Sequence, residues 1–427
     1  MIPSTERGPG GPPVECRACG GTVATAVDLG PQPAIGTFPP VGDPRAELRP
    51  LRIGICASCS LAQLAVPGSP DFDDPEAPSP LASATMAEHG RLLVADLERR
   101  GLVSPASRIV TVASHGGHLG PLLRERGFAS TALDGSAVRV RRLRAAGEKV
   151  LAWSPAGRDP VPAAASAASD LVVDLYLMNH VQHPRVALRR LVSLVAPRGT
   201  LVIEYDDLAA NVREGIWDSI GSGHPVYPTL TWLAPELEGL GLQIVDAVER
   251  HVYGGAMQII ARAGEPRGSS VAALLEREAA AGLSRPEGLA PLADAAERAR
   301  RDVVPYLRAA RDAGRTVVGY GAPARSITFL NALEIGPDLL PYVVDRAAAK
   351  HGRAIPGVQI PILRPDTLVS DQPDEVLILA WNLASEVVEA LSPVLPRTRF
   401  LVAIPEFAEV TGAGHVRVDR PPGDGMR

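Results

Sequence analysis

Aromatic residues make up only 4% of this 427-residue chain, and it holds just four cysteines and five methionines. Long apolar runs are missing too. Stretches such as Ser169–Met178 fall well short of the roughly 20 residues a membrane helix needs, and they contain acids. No N-terminal segment joins basic residues to a long apolar stretch, so no export signal is expected and the protein is read as cytoplasmic. A basic excess is also lacking. With net charge -5 and a pI near 6.0, the chain is a poor match for a phosphate backbone, and nucleic acid is not an expected partner. Ala, Arg, Gly and Pro are plentiful, a bias associated with GC-rich bacterial coding. Hydrophobic residues reach 46%, enough at this length for two to three cores.

All four cysteines precede residue 60, as Cys16-x-x-Cys19 and Cys56-x-x-Cys59. A reducing compartment disfavours disulfides, and two such pairs supply four thiolates with tetrahedral reach. Gly20 follows Cys19, as a tight knuckle turn requires. A structural zinc is expected; four protein ligands close its coordination sphere and leave it no catalytic part.

Residues 1–14 are rich in Gly and Pro and read as a disordered tail; 15–67 read as the zinc module, and 68–80 as an acidic, Pro-rich linker. Over 81–265, helical spacing gives way to short β-type runs at Arg108–Ala113, Thr131–Asp134, Leu171–Tyr176 and Leu201–Glu204, separated by helices. That alternation predicts parallel βαβ units. Residues 271–312 read as a charged helical connector, and 313–410 alternate again as a second α/β domain.

The run Arg108–Ala113 leads into a small-residue turn, Ser114-His115-Gly116-Gly117-His118, and the next strand ends on Asp134. Strand, glycine turn, helix and acid form a nucleotide-binding arrangement, in which the acid bonds ribose hydroxyls. Asp134 as a helix cap is the plainer alternative. Gly319-x-Gly321 at a later strand end is suited to cradling a pyrophosphate, with Arg325 placed to pair with phosphate.

From about Cys16 to Glu409 the chain resembles the TDP-deoxysugar C-methyltransferases. The cysteine module with Asp28-Leu-Gly-Pro-Gln-Pro33 contributes to the likeness, as do Asp170–Val181 and Trp217–Tyr227. Gly319-Tyr-Gly-Ala-Pro-Ala-Arg325, Tyr342–Asp345, Gly352–Pro361 and Ala380-Trp-Asn382 extend it. The resemblance implies a zinc module, a class I S-adenosylmethionine (SAM) methyltransferase domain and a Rossmann-like C-terminal α/β domain. It implies His224 as the base that removes a proton beside a ketone, with His180 in the same site. For SAM it implies Asp134, Gly116, Gly117 and His115, and for the nucleotide of a small-molecule sugar donor Tyr320, Arg325, Asp345 and Lys350. A neutral imidazole suits the base's task near pH 7.

The departures cluster at the chemistry. Gly221-Ser222-Gly223 stands where the family has Tyr-His-Glu before its base, and Ala77–Ala84 contains no tyrosine where the family has one. Tyr253-Gly-Gly-Ala-Met-Gln258 replaces His-Gly-Gly-Ser-Leu-Arg, and the SAM turn has lost its first glycine and both acids. Ahead of Pro225, His224 also reads as an exposed loop tip. These losses keep two alternatives open: a cyclase, isomerase or pericyclase acting on a polyketide-type intermediate, or a non-catalytic binding protein.

Overall fold

The computed structural model describes residues 14–36, 38–43, 47–66, 84–113, 119–163, 165–252, 254–411 and 414–418. The expected tail up to residue 13, the linker 68–80, Tyr253 and the turn 114–118 with His115, Gly116 and Gly117 lie outside the described residues.

Strands β1 (Val14–Glu15), β2 (Thr22–Pro33), β3 (Leu48–Cys56) and β4 (Ala62–Leu64) run antiparallel in sequence order. In β3 the alternation Leu51, Ile53, Ile55 turns one apolar face inward, and both isoleucines are fully buried. Between them Gly54 passes so close to β2 that a Cβ would collide with the Ala24 carbonyl oxygen. The fifth strand of this sheet comes from the middle of the chain: Val226–Tyr227 pairs antiparallel with β4, Val226 opposite Gln63.

The second sheet holds β5 (Ile109–Ala113), β6 (Ser130–Asp134), β7 (Val150–Ala152), β8 (Ser169–Leu175) and β9 (Val195–Asp206), all parallel. After the Val226–Tyr227 strand (β10) come β11 (Gln243–Arg250) and β12 (Ala256–Arg262), and the order is β11-β12-β9-β8-β5-β6-β7. Only β12 runs against its neighbours here, between β9 and β11. In β8 Leu171, Val172 and Val173 are all fully buried, because helices cover both faces of a parallel sheet. Leu171 and Val173 meet the helices Ala84–Arg99 and Leu119–Glu125. Val172 meets the helices Pro184–Val192 and Leu230–Glu238 on the other face.

The expected connector is two helices, Ser269–Ala280 and Ala290–Asp312, broken by a turn in which Gly282 takes φ +69°. It packs into the interior as well, since Val303, Leu307 and Ala310 share one core with Ile53 and Ile55 of the N-terminal sheet. The third sheet follows: β13 (Val317–Tyr320), β14 (Val343–Val344), β15 (Ile362–Leu363), β16 (Glu375–Ile378) and β17 (Arg399–Val402) are parallel, and β18 (Ala408–Thr411) and β19 (Gly414–Arg417) form an antiparallel edge. Among the described residues no helix is long and apolar enough to cross a membrane.

Candidate active site

The two cysteine pairs sit at matching turns. Gly20 N–H donates to Cys16 O at 2.9 Å, Ser60 N–H to Cys56 O at 2.9 Å, and both Gly20 and Ser60 are left-handed. The Sγ atoms of Cys16, Cys19, Cys56 and Cys59 all lie within 4.8 Å of one another, with Cys16–Cys59 at 3.6 Å and Cys19–Cys56 at 3.5 Å. A tetrahedron with Zn–S bonds of about 2.3 Å has edges of about 3.8 Å, so the cluster fits zinc. Amides of Ala18, Gly21 and Ser58 point at Cys16, Cys19 and Cys56, each at 3.4 Å, as donors that stabilise thiolates. Arg17, between the first two cysteines, donates its amide to Gln63 and its guanidinium to Leu64 O and Gln182, tying the knuckle to the central domain.

The loop after the helix Leu208–Glu214 is not an exposed tip. Its side chains Trp217 and Ile220 are buried, and β10 pins its end to the zinc module. His224 keeps 23% of its side-chain surface exposed, and burial pulls its pKa below the usual imidazole value. Asp206, at the end of β9, works against that pull, while Arg325 adds to it. The His180 ring meets His224 edge-on, with centroids 4.7 Å apart. His180 Nδ1 donates to Gly223 O at 2.8 Å, which fixes the backbone just before His224. The two predicted histidines thus come together, held by different elements.

Arg325 reaches this pair from the C-terminal domain. Its Nη2 lies 3.9 Å from Asp206 Oδ1, its guanidinium stands over the Trp381 ring at 5.6 Å, and its buried Nη1 has no hydrogen-bond partner among the described residues. The other expected nucleotide ligands serve the turn itself. Asp345 accepts from Ala322 N–H at 2.6 Å and from Ala347 N–H at 2.7 Å. Lys350 Nζ donates to Ala322 O at 2.8 Å, and Gly321 N–H is taken by Val344 O. These turn amides are therefore spent inside the domain. A Cβ at Gly321 would come within 2.9 Å of Ala380 Cβ, so close packing against that strand end accounts for the glycine. Tyr320 is half-buried beside it, and burial raises its pKa.

Asp134 stands at the tip of β6, at the end of the sheet where α/β proteins bind nucleotides. The cap of the next helix is Ser136, not Asp134. Both Asp134 oxygens are engaged: Arg139 Nε donates at 2.8 Å and Nη2 at 2.9 Å, and Ser136 N–H donates at 2.7 Å. The Asp134 side chain is fully buried in this pair, so in this structure Arg139 and the Ser136 amide enclose the carboxylate.

Sequence reasoning missed Asp206 and the part played by Trp381. The acid pair Asp206-Asp207 after Glu204-Tyr205, at a strand's C-terminal end, was the available signal. Glu204 itself is fully buried and pairs with His89 Nε2 at 2.7 Å, joining the helix Ala84–Arg99 to β9.

Three family models match the chain in succession: a zinc binding domain over residues 16–71, a methyltransferase domain over 87–247 and a C-methyltransferase C-terminal domain over 251–405. With the sheet order, they define a class I methyltransferase carrying a zinc module and a second α/β domain. The domain matches and the relative described next support a SAM-dependent C-methyltransferase with a zinc-binding module. It is 28% identical to C-methyltransferase NovU of Streptomyces niveus over 408 residues, 92% of this chain and 96% of that one. Among solved structures, magnesium protoporphyrin IX methyltransferase from Synechocystis PCC 6803 with bound SAH matches 42% of this chain and 85% of its own, at 18% identity and a TM-score of 0.33. The [4+2]-cyclase SpnF matches 42% of this chain and 81% of its own, at 14% identity and a TM-score of 0.31.

Proposed function

We propose that this enzyme methylates the carbon beside a ketone in a nucleotide-linked deoxysugar of natural-product biosynthesis, in the cytoplasm. The supporting observation is the junction where His224 and His180 meet Arg325 of the C-terminal domain, whose Nη1 is left for an anionic group of the substrate. SAM, when bound, supplies the methyl group. His224 takes the proton from the substrate carbon, His180 supports the enolate oxygen, and Arg325 with Tyr320 holds the nucleotide side. The three described sheets pack around shared cores, which fixes the elements carrying these residues relative to one another.

Zinc-loaded protein incubated with SAM and a TDP-4-keto-6-deoxysugar should release S-adenosylhomocysteine in step with a singly methylated sugar, and His224→Gln should lose at least about a hundredfold of that rate. Sugar product without S-adenosylhomocysteine would point instead to isomerisation or cyclisation. No turnover of any keto-sugar nucleotide would overturn the substrate class.

A further inference from the structure

We infer that Asp206 is the positioning residue for His224, holding the proton on Nδ1 so that Nε2 remains the basic atom. This rests on the base role proposed above for His224, but its test does not. In the family this chain resembles, an acid directly precedes the base, and position 223 is glycine here. A different acid reaches the same imidazole from the end of β9. Asp206 is only 6% exposed, and its own backbone N–H donates to Asn179 Oδ1 at 3.1 Å, which fixes the strand end.

The carboxylate is divided between an imidazole and a guanidinium. Oδ2 lies 3.5 Å from His224 Nδ1, and Oδ1 lies 3.9 Å from Arg325 Nη2. The other groups facing the imidazole are the Ser219 backbone, which takes a hydrogen bond from the ring, His180, edge-on at 4.7 Å, and Tyr227, with ring centroids 6.0 Å away. The Tyr227 hydroxyl is itself held by Gly221 N–H at 3.0 Å. Asp206 supplies the negative charge that favours a protonated imidazole, and the Ser219 backbone hydrogen bond acts in the same direction. Burial and the Arg325 charge both oppose it. A base in such a place needs a fixed negative partner, or it cannot accept a proton near neutral pH. At 3.5 Å the contact is longer than a hydrogen bond; it closes as the imidazole charges, because attraction to the carboxylate grows at that moment. The proton passes from substrate carbon to Nε2, the Nδ1 proton stays in place, and Asp206 is not itself protonated.

The test is an NMR titration of the full-length, zinc-loaded protein with ¹⁵N-labelled imidazoles, the His224 signals being assigned by their loss in His224→Gln. In Asp206→Asn the His224 pKa should fall by about one pH unit, and the Nδ1–H tautomer should lose its dominance. Asp206→Glu should bring the pKa back towards wild type, and Arg325→Gln should raise it. A folded Asp206→Asn protein with unchanged His224 pKa and tautomer overturns the inference, whatever the enzyme methylates. In turnover the same variant should move the acidic limb of kcat/KM to lower pH and cut kcat roughly tenfold or more with KM little changed. If no substrate turns over, the reading of function falls, and the titration still decides the role of Asp206.

Discussion

Trp381 Nε1 donates to Asp218 Oδ2 at 2.8 Å, so an indole of the C-terminal domain satisfies a buried acid of the methyltransferase domain. Asp218 Oδ1 has no partner among the described residues, and burial raises its pKa. The same indole lies under Arg325, so one side chain links the junction's hydrogen bond to its cation. Trp381→Phe keeps the ring and removes the donor. It should lower unfolding stability by about 1–3 kcal/mol, read by denaturant titration, because a buried acid loses its partner.

Gly254 takes φ +95°, and a Cβ there would stand 2.7 Å from Trp381, 2.9 Å from Ile216 and 3.3 Å from Arg325. Gly254→Ala should therefore cost about 1–3 kcal/mol and lower kcat/KM, since the added methyl pushes against the groups that bring Arg325 to His224. Steady-state kinetics beside a thermal melt check both effects. Full activity with an unchanged melt would show that this loop can yield.

Zinc loss should reach the active site. Cys56→Ser removes one of four ligands, and elemental analysis should find less than one zinc per chain. Because β10 pairs with β4, next to the second knuckle, hydrogen exchange should speed up in 221–227 as well as in 14–66. Faster exchange confined to the first 66 residues would separate the metal from His224.

Asp174 is fully buried at the end of β8, and burial pushes its carboxyl up to about 8, against the pull of the Leu177 and Met178 amides. A raised carboxyl pKa contributes stability that is complete below the unfolded value near 4 and is lost as pH rises through the folded one. Asp174→Asn keeps the shape and the oxygen that accepts Leu177 N–H. It should gain on wild type by about 2 kcal/mol or more between pH 5 and pH 8, read from unfolding midpoints across that range. A constant difference over the range would contradict a neutral Asp174.

Features set by neighbours along the chain are legible in the sequence itself. The C-x-x-C spacing fixes its own turns, so Cys16, Cys19, Cys56 and Cys59 could be assigned together. The run Leu171-Val172-Val173 announces a strand buried on both faces. Asp134 stands out at its strand tip, but its closure by Arg139, five residues on, does not, because either residue alone reads as a solvated charge. The surroundings of His224 are harder to see. Asp206, His180 and Arg325 meet it through three separate elements, and the two-residue strand Val226–Tyr227 is too short to show any period. Local pattern gives a loop tip there; long-range pairing turns it inward.

The strand Val226–Tyr227 also constrains the order in which the molecule is made. The N-terminal sheet gains its last strand only after more than half the chain has left the ribosome, and until then β4 presents an open edge. A long-range pairing of this kind slows folding and leaves the nascent module waiting. Metal captured early by the cysteine knuckles would hold that edge in shape through the wait, making zinc a timekeeper of synthesis as well as a part of the finished enzyme.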